Sequence, residues 1–299
     1  MPDNLSIIIP VFQAQDCIEE LAVRLRRVLE GMELSDWQVV FVDDCSRDQS
    51  WQKLQMFCGG DSRMFAVRLT KNVGKFRAIL VGLNYIATAS RRYGNVQHDY
   101  VLFMDCDLQH APENIPALFA VAAPDRVVLG VRHNRVDHLS KRAMSKLYYR
   151  VFNFISGCAV SDRATDFCIV PRFYIRFLGD WTHSRHLAIA MQLVPAALHE
   201  VEIEHCARFA GRSAFTFYRL LRLGVDNLRS YLTAGRRSII AVATALLTAG
   251  MFYRFGDVAG GLFIVVGLLF AFAMLYDRDR SISPEHVIGE EFRGGDTRT

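Results

Sequence analysis

Short continuous apolar runs alternate along the first half of the chain with segments in which apolar residues recur every three or four positions. Buried parallel strands show the first pattern and amphipathic helices show the second. The runs that predict strands are residues 5–11, 39–42, 65–69, 101–104 and 127–131, and helical spacing follows at 18–32, 76–83 and 115–121. Strands that alternate with helices predict an α/β domain built on a largely parallel sheet.

Polar clusters follow three of the predicted strands at the point where each strand ends. The clusters are Asp43 with Asp44, residues 72–75 and residues 105–109. Ligands of such sheets bind beyond the carboxyl ends of the strands, so we expect the three clusters to line one crevice. Each cluster also has a structural explanation, because acidic residues can cap helices and Gly74 can satisfy a turn.

Asp105 and Asp107 stand one residue apart directly after the fourth predicted strand. Paired carboxylates attract a divalent cation, and Mg²⁺ or Mn²⁺ is commonly held by a few carboxylates while substrate phosphates complete its shell. Such a cation suits a diphosphate. In the alternative interpretation, one carboxylate caps the following helix and the other is solvated. The pair therefore predicts a diphosphate site only in combination with the other clusters.

Basic and aromatic residues are interleaved between positions 132 and 154, where the alternation of strands and helices lapses. The basic members are Arg132, Arg135, Lys141, Arg142, Lys146 and Arg150. Such a segment is typical of a surface that binds a membrane or a phosphorylated amphiphile. A surface helix with simply solvated charges explains the same pattern.

Two apolar spans lie near the end of the chain. Residues 238–253 and 258–276 provide about 16 and about 19 residues, against roughly 20 needed to cross a bilayer. Basic residues flank the outer ends, as the positive-inside tendency requires of a hairpin with both ends in the cytoplasm, although Arg254 in the intervening turn opposes it. The spans can instead be buried core helices. Before them, residues 215–232 suit a helix in the plane of the membrane interface.

Composition changes this picture at a few points. The 51% apolar content of the 299 residues is high for a wholly soluble protein, and the excess is concentrated after Ser238. A net charge of +4 without a long basic run makes nucleic acid an unfavoured partner.

Seven cysteines without a Cys-x-x-Cys pair predict neither a disulfide framework nor a zinc site and favour a reducing compartment. The first residues predict no secretory signal.

Several short motifs stand in a fixed order over residues 5–215. They occupy residues 8–12, 42–48, 72–75 with Ala78 and Gly82, 105–109 with Pro112 and Glu113, 130–132, 165–168 and 205–213. Together they resemble family 2 glycosyltransferases of the polyisoprenyl-phosphate branch, such as dolichol-phosphate mannose synthases and bacterial undecaprenyl-phosphate glucosyltransferases. Each motif alone is weakly specific, whereas the ordered set is typical of the family.

The resemblance implies a domain plan. A Rossmann-like A-type glycosyltransferase domain with a mixed, mostly parallel sheet is expected at residues 1–212, on the cytoplasmic side. An amphipathic interfacial helix is expected at 213–235 and a two-helix transmembrane hairpin at 236–280. The polar tail at 281–299 contains Gly294 and Gly295 and is expected to be disordered.

The resemblance also implies an activity. The chain is expected to be an inverting, metal-dependent hexosyltransferase that moves a sugar from a nucleotide diphosphate-sugar to a polyprenyl phosphate, undecaprenyl or dolichyl, in the synthesis of cell-envelope glycans. The implied cofactor is Mg²⁺ or Mn²⁺, and the implied partners are the nucleotide sugar, the lipid and the membrane. Whether the protein forms a homo-oligomer is left open. The implied location is the cytoplasmic (inner) membrane, with more than one crossing.

The family motifs assign roles to individual positions. The residues implied as catalytic are Asp107, Asp166 and Arg132. Those implied to bind the nucleotide sugar are Pro10, Val11, Asp43, Asp44, Asn72, Lys75, Asp105 and Gln109. Those implied to bind the lipid phosphate are Arg132, Arg135, Arg142 and Ser145. Those implied to hold the metal are Asp105, Asp107 and Gln109.

The chain departs from the family at the turn around Asp166. The usual bacterial motif has Gly before this Asp and Arg after the following Phe, whereas this chain has Thr165 and Cys168. The sugar and phosphate contacts that the arginine would make therefore have no counterpart at this turn.

Three interpretations of the activity remain. A phosphate acceptor is already largely ionised at neutral pH, because the second pKa of a phosphate monoester is about 6, so Asp166 would orient the sugar or acceptor without removing a proton. A lipid or polysaccharide hydroxyl acceptor would instead need Asp166 as a base. In the third interpretation the chain is a non-catalytic membrane module that binds a nucleotide sugar.

Overall fold

The computed structural model describes residues 4–93, 98–132, 139–156, 160–179, 187–204, 240–241, 243–244, 267, 270 and 288–293. The strands are β1 (Asn4–Val11), β2 (Asp36–Asp43), β3 (Met64–Leu69), β4 (Tyr100–Phe103), β5 (Arg126–Arg132), β6 (Ala164–Pro171), β7 (Ala197–Ile203) and β8 (Ile288–Arg293). The helices are α1 (Ile18–Glu30), α2 (Ser50–Gly59), α3 (Lys75–Tyr93), α4 (Ile115–Ala120), α5 (Leu139–Ser156), α6 (Arg172–Gly179) and α7 (Leu187–Gln192), with a 3₁₀ turn at Pro112–Asn114.

The strands form one sheet in the order β7-β5-β6-β4-β1-β2-β3-β8. β1 pairs in parallel with β2 and β4, β2 with β3, and β5 with β7. β6 lies antiparallel between β4 and β5, and β8 lies antiparallel beside β3. The prediction of an α/β fold on a mixed, mostly parallel sheet is thereby confirmed.

Both faces of the sheet are covered by helices. Alternate residues of β1 lie on opposite faces, so Leu5, Ile7 and Ile9 pack with α1, α2 and α4, whereas Ile8 packs with α3 and α7. A strand that is buried on both faces has no solvent-exposed side chains, which is why β1 is a continuous apolar run in the sequence.

Gly82 allows α3 to lie close to the sheet. A Cβ atom at Gly82 would come within 2.8 Å of Cγ2 of Ile8 and 3.1 Å of Cγ2 of Val42. Any larger side chain would push the helix away from the strands, and with it the residues of its first turn. The glycine therefore allows α3, which begins at Lys75, to pack closely against β1 and β2.

One prediction about the end of the chain was wrong for six residues. The tail at 281–299 was expected to be disordered, but Ile288–Arg293 forms β8, with Phe65 of β3 opposite Arg293. Without β8, β3 would be an edge strand with a row of unpaired backbone groups. Composition did not reveal this strand because the pairing depends on backbone groups and on a distant partner. The rest of the tail lies outside the described residues.

The proposed interfacial helix at 213–235 lies outside the described residues, and so does most of the proposed hairpin at 236–280. Among the hairpin residues that are described, Ile240 and Phe270 pack against a small cluster of Phe152, Val160 and Ile189. Among the residues that are described, no helix combines the length and the apolar character needed to cross a membrane. The interfacial helix and the hairpin stay predictions.

Candidate functional site

Acidic side chains from three strands meet at one edge of the sheet. Asp43 ends β2, and Asp105 follows the end of β4. Asp166 stands near the start of β6, which runs in the opposite direction. The register that pairs Phe103 with Cys168 places Asp166 opposite Asp105 by extension of the two strands. The predicted crevice at the carboxyl ends of the parallel strands therefore gains an acid from an antiparallel one.

Asp44 holds the loop between β3 and α3. Its carboxylate accepts hydrogen bonds from the backbone N–H of Val73 at 2.7 Å and of Gly74 at 2.8 Å. Asn72 donates its side-chain amide to the Asp44 carbonyl oxygen at 3.3 Å. Gly74 has φ of +90°, which only glycine adopts without strain. The structural explanation that the sequence left open for Gly74 therefore applies, and Asp44 shapes the loop that needs it.

Asp43 lies beneath this loop and is fully buried. It accepts a hydrogen bond from the backbone N–H of Ser46 at 3.2 Å, and Arg68 Nε lies 3.4 Å from its other oxygen. Burial raises the pKa of Asp43 above its usual value and raises the pKa of Asp44, which is only 3% exposed, to about 6. Arg68, which the sequence motifs did not point to, is the cation that opposes this effect at Asp43.

Asp105 and Asp107 occupy the turn after β4 and are both half-buried. Asp107 Oδ1 accepts a hydrogen bond from the backbone N–H of Gln109 at 3.1 Å. Between them in this turn, Leu108 has φ of +58°. The hydrogen bond fixes the direction of the Asp107 side chain relative to its own turn. Asp107 is therefore oriented in part by the local structure of this turn.

Lys75 joins two of the acidic strand ends. Its Nζ atom lies 2.5 Å from Asp105 Oδ1 and 2.5 Å from Asp166 Oδ2. The other oxygen of Asp166 accepts a hydrogen bond from the backbone N–H of Ala188, in the first turn of α7, at 2.8 Å. Burial opposes the charge on Lys75, but Asp105 and Asp166 together outweigh it and raise the pKa of the ammonium group. Lys75 therefore remains charged between the two acids.

The chemistry of this turn fits a divalent cation. Asp105, Asp107 and Gln109 offer oxygen atoms, which Mg²⁺ and Mn²⁺ prefer as ligands. Within the ranges that the structure describes, no three His, Cys, Asp or Glu side chains are grouped to enclose a metal ion. Two carboxylates supply only part of a coordination shell, and phosphate oxygens are suited to supply the rest.

The two positions at which the chain departs from the usual motif are structural. Thr165 is buried, donates its hydroxyl to the Gly130 carbonyl oxygen at 2.7 Å and accepts a hydrogen bond from the Phe167 N–H at 3.3 Å. Cys168 is buried in the sheet, and burial raises the pKa of its thiol well above the usual value. Thr165 thus ties β6 to β5 on one side of Asp166, and Cys168 packs on the other side.

Residues 6–179 match the family described as glycosyl transferase family 2. The chain belongs to glycosyl transferase family 2. A member of the family from Pseudomonas fluorescens, undecaprenyl-phosphate 4-deoxy-4-formamido-L-arabinose transferase, is 32% identical over 286 residues, which cover 90% of this chain and 80% of that protein. The enzyme of the same name from Proteus mirabilis is 28% identical over 288 residues, covering 90% and 84%.

Solved structures carry the same fold. Glucosyl-3-phosphoglycerate synthase from Mycobacterium tuberculosis in complex with phosphoglyceric acid superposes with a TM-score of 0.52 and 14% identity, covering 78% of this chain and 82% of that one. Its complex with Mn²⁺, UDP-glucose and phosphoglyceric acid gives a TM-score of 0.51, 14% identity, and coverage of 78% and 79%. The likeness confirms the α/β glycosyltransferase fold.

The structure places the remaining residues that the family motifs implied. Pro10 and Val11 end β1, and the Val11 carbonyl accepts the Asp44 N–H at 2.8 Å, so the end of β1 lies directly beside Asp44. Arg132 ends β5 and is half-buried. Ser145 lies on α5 and is half-buried too. Arg135 lies outside the described residues, and so does the side chain of Arg142 on α5.

Besides Arg68, two further site features escaped the sequence motifs. His110 is buried and stacks on Phe167, with ring centroids 5.6 Å apart and planes 4° apart, so it links the turn of Asp107 to the strand of Asp166. Its position directly after the motif at 105–109 was the available signal. Ala188 contributes only its backbone N–H to Asp166. A backbone donor has no sequence signature, and no pattern could have found it.

Donor binding is expected to weaken as the pH falls through about 6, the pKa of Asp44. The ionised carboxylate accepts two backbone N–H groups, and protonation removes part of that capacity, so the β3–α3 turn loses its support. A nucleotide diphosphate-sugar should bind about tenfold more weakly at pH 5 than at pH 7.5 by calorimetry. This ligand lacks the monoester phosphate that would itself titrate near 6.

The variant Asp44→Asn supplies the control for this pH dependence. Its side chain does not titrate, so the variant should bind the donor more weakly than the wild type at pH 7.5 and with little change down to pH 5. A wild-type affinity that stays constant over the same range would contradict the role given to Asp44.

Proposed function

We propose that this chain transfers a sugar from a nucleotide diphosphate-sugar to a polyprenyl phosphate, with inversion at the anomeric carbon. The observation that carries the proposal is the match over 90% of the chain to undecaprenyl-phosphate sugar transferases, which extends well beyond the family 2 region. The acidic site at the carboxyl edge of the sheet supports it independently. It combines Asp44, which is buried and holds a loop, the carboxylates of Asp105 and Asp107, and Lys75, which bridges Asp105 and Asp166.

The donor is proposed to lie across the ends of β1, β2 and β4. Pro10, Val11 and Asp43 would form the wall of the nucleotide pocket. Asp44 supports the loop above it, because its carboxylate accepts two N–H groups of that loop and its carbonyl oxygen accepts the side-chain amide of Asn72. In this proposal the diphosphate would point toward Asp105 and the first turn of α3, where backbone N–H groups favour anions.

A divalent cation is proposed at Asp105 and Asp107, with Gln109 beside them. The proposal rests on the oxygen donors of this turn, and a protein of the same fold was solved with Mn²⁺ and UDP-glucose. When bound, Mg²⁺ or Mn²⁺ would neutralise the charge that develops on the departing diphosphate. Asp107, whose side chain is oriented by the Gln109 N–H, is the residue expected to hold it most directly.

The acceptor side is proposed to need no strong base. A phosphate monoester is largely ionised at neutral pH and attacks without losing a proton. Both oxygens of Asp166 already have partners, because Lys75 lies on one and the Ala188 N–H donates to the other. A carboxylate held in this way is suited to orienting the sugar or acceptor. Arg132 would hold the acceptor phosphate, assisted by Arg135, Arg142 and Ser145.

The acceptor is proposed to arrive from a membrane that lies against α5. Leu147, Val151 and Phe154 stand at i, i+4 and i+7 on that helix, so they share one face, and they are exposed to 60%, 43% and 89%. An exposed apolar stripe on a basic helix suits the surface of an anionic bilayer. Together with the predicted hairpin at 236–280, this surface supports the proposal that the protein lies at the cytoplasmic membrane with its catalytic domain in the cytoplasm.

The purified protein should form a glycolipid when it is incubated in detergent with a panel of nucleotide sugars and undecaprenyl phosphate. Mass spectrometry of the lipid fraction identifies the sugar from the mass added. Undecaprenol, which carries a hydroxyl in place of the phosphate, is the matched control and should not be glycosylated. Failure to form product with any donor in the panel would contradict the proposed activity.

Asp166→Asn is expected to lower kcat about tenfold or less. The amide oxygen can still accept the Ala188 N–H, and the phosphate acceptor needs no proton removed. A general base would contribute roughly 10²–10⁴-fold, so its removal would have a far larger effect. Steady-state kinetics distinguishes an orienting role of Asp166 from a general-base role, and a melting curve shows whether the variant is folded. A loss greater than about a hundredfold in a folded variant would favour a hydroxyl acceptor.

A further inference from the structure

We propose that Lys75 is an internal counter-ion that occupies Asp105 while no divalent cation is bound and moves off Asp105 when one binds. This inference rests on the cation proposed at Asp105 and Asp107. The family motifs implied only that Lys75 contacts the nucleotide sugar, whereas the geometry gives its ammonium group two carboxylate partners within the protein.

The first observation is the short distance from Lys75 to both acids. Nζ lies 2.5 Å from an oxygen of Asp105 and 2.5 Å from an oxygen of Asp166. Two carboxylates that share one ammonium group are held closer together than their mutual repulsion would otherwise allow. The bridge therefore keeps the ends of β4 and β6 in place before any ligand arrives.

The second observation is that the two ends of the bridge are not equivalent. Asp166 has a second anchor, because its other oxygen accepts the Ala188 N–H at 2.8 Å. Asp105 belongs to the turn that offers a cation two carboxylates. A divalent cation on Asp105 would stand within a few ångströms of the ammonium group, and like charges at that distance repel strongly. Lys75 is then expected to leave Asp105 and remain with Asp166.

The position of Lys75 gives this movement a consequence for transfer. Lys75 is the first residue of α3, and Asp44 fixes the two residues before it through their N–H groups. The backbone of Lys75 therefore stays in place while its flexible side chain changes partner. Once released from Asp105, the ammonium group lies at the start of α3 beside the proposed diphosphate. Its positive charge would stabilise the negative charge that develops on the diphosphate as it leaves. Lys75 thus acts as a positioning residue before donor binding and as an electrostatic aid afterwards.

The decisive experiment is a double-mutant cycle on Mn²⁺ affinity, measured by electron paramagnetic resonance on the purified full chain without nucleotide. The four proteins are the wild type, Lys75→Met, Asp166→Asn and the double variant. Lys75→Met should bind Mn²⁺ about tenfold more tightly, because its competitor is gone. Asp166→Asn should bind it severalfold more weakly, because Lys75 then pairs with Asp105 alone. In the Lys75→Met background the Asp166→Asn change should have little effect.

The controls separate an exchange of partners from simple charge effects. Lys71→Met removes an exposed lysine from the same loop and should change the Mn²⁺ affinity less than about twofold. If Asp166→Asn weakens Mn²⁺ binding equally in both backgrounds, long-range charge is the cause and the inference fails. Tighter binding by Lys75→Met also distinguishes the proposed role from a merely structural one, which would weaken binding.

A measurement on the wild type keeps the test independent of variants that fail to fold. Acylation of lysines, followed by peptide mass spectrometry, should show Lys75 reacting several times faster with Mn²⁺ than without it, while Lys71 reacts at the same rate. An unchanged rate at Lys75 in Mn²⁺-bound protein overturns the inference alone. Absence of Mn²⁺ binding, even with a nucleotide diphosphate-sugar present, overturns the proposed cation as well.

Discussion

Asp107→Asn is expected to lower the rate of sugar transfer by roughly two to three orders of magnitude. Removal of one group that stabilises charge in the transition state has effects of this size. The variant should fold normally, because Asp107 Oδ1 accepts the Gln109 N–H and an asparagine oxygen can accept the same bond. Only the negative charge of the side chain is lost, and with it the attraction for a cation beside the diphosphate.

The measurement is kcat/KM for glycolipid formation, together with the melting temperature and the Mn²⁺ affinity of each protein. Asp125→Asn is the matched control, because this carboxylate is 70% exposed and precedes β5 at the opposite edge of the sheet. It should leave all three quantities unchanged. Activity of Asp107→Asn within about threefold of the wild type would show that this carboxylate does not serve the leaving group.

Gly130→Ala is expected to destabilise the fold by about 1–3 kcal/mol, the usual cost of inserting a methyl group into a closely packed core. The new Cβ would lie 2.9 Å from the backbone oxygen of Phe167 and 2.9 Å from Cδ1 of Ile203. A backbone oxygen cannot rotate away as a side chain can, so β6 must shift. Asp166 precedes Phe167 on that strand, and transfer should therefore decline with stability.

Gly60→Ala isolates this effect from the general consequences of replacing glycine. No atom lies within 4 Å of a Cβ at Gly60, and its φ of −89° is accessible to alanine. Its melting temperature should stay within about 1 °C of the wild type, whereas Gly130→Ala should melt several degrees lower. Equal melting temperatures for the two variants would mean that β5 and β6 accommodate the methyl group without strain.

The parts of the fold that could be predicted are those whose patterns are local. β1 and β2 are buried on both faces, so their apolar runs stand out in the sequence. Asp105 and Asp107 follow a strand whose end is marked by the change to polar residues. The rule that ligands bind beyond strand ends then brought three clusters together without any knowledge of the contacts.

The parts that could not be predicted depend on tertiary contacts. The sequence assigned Asp44 to the donor, but its carboxylate binds backbone N–H groups of the loop after β3, and such donors exist at almost every residue. The family motifs assigned Lys75 to the donor as well, and they gave no sign that it also bridges Asp105, which follows β4, and Asp166 of β6. The antiparallel direction of β6, which puts Asp166 beside Asp105, follows from the path of the chain and leaves no mark in the spacing of its residues.

The eighth strand restricts the route of the chain through a membrane. β7 and β8 belong to the same sheet, so residues 204 and 288 are fixed to one folded body. Residues 204 and 288 therefore lie on the same side of any membrane that the segment between them crosses. Only an even number of crossings satisfies this condition. The proposed hairpin would meet it with two, whereas a single crossing between residues 204 and 288 would not.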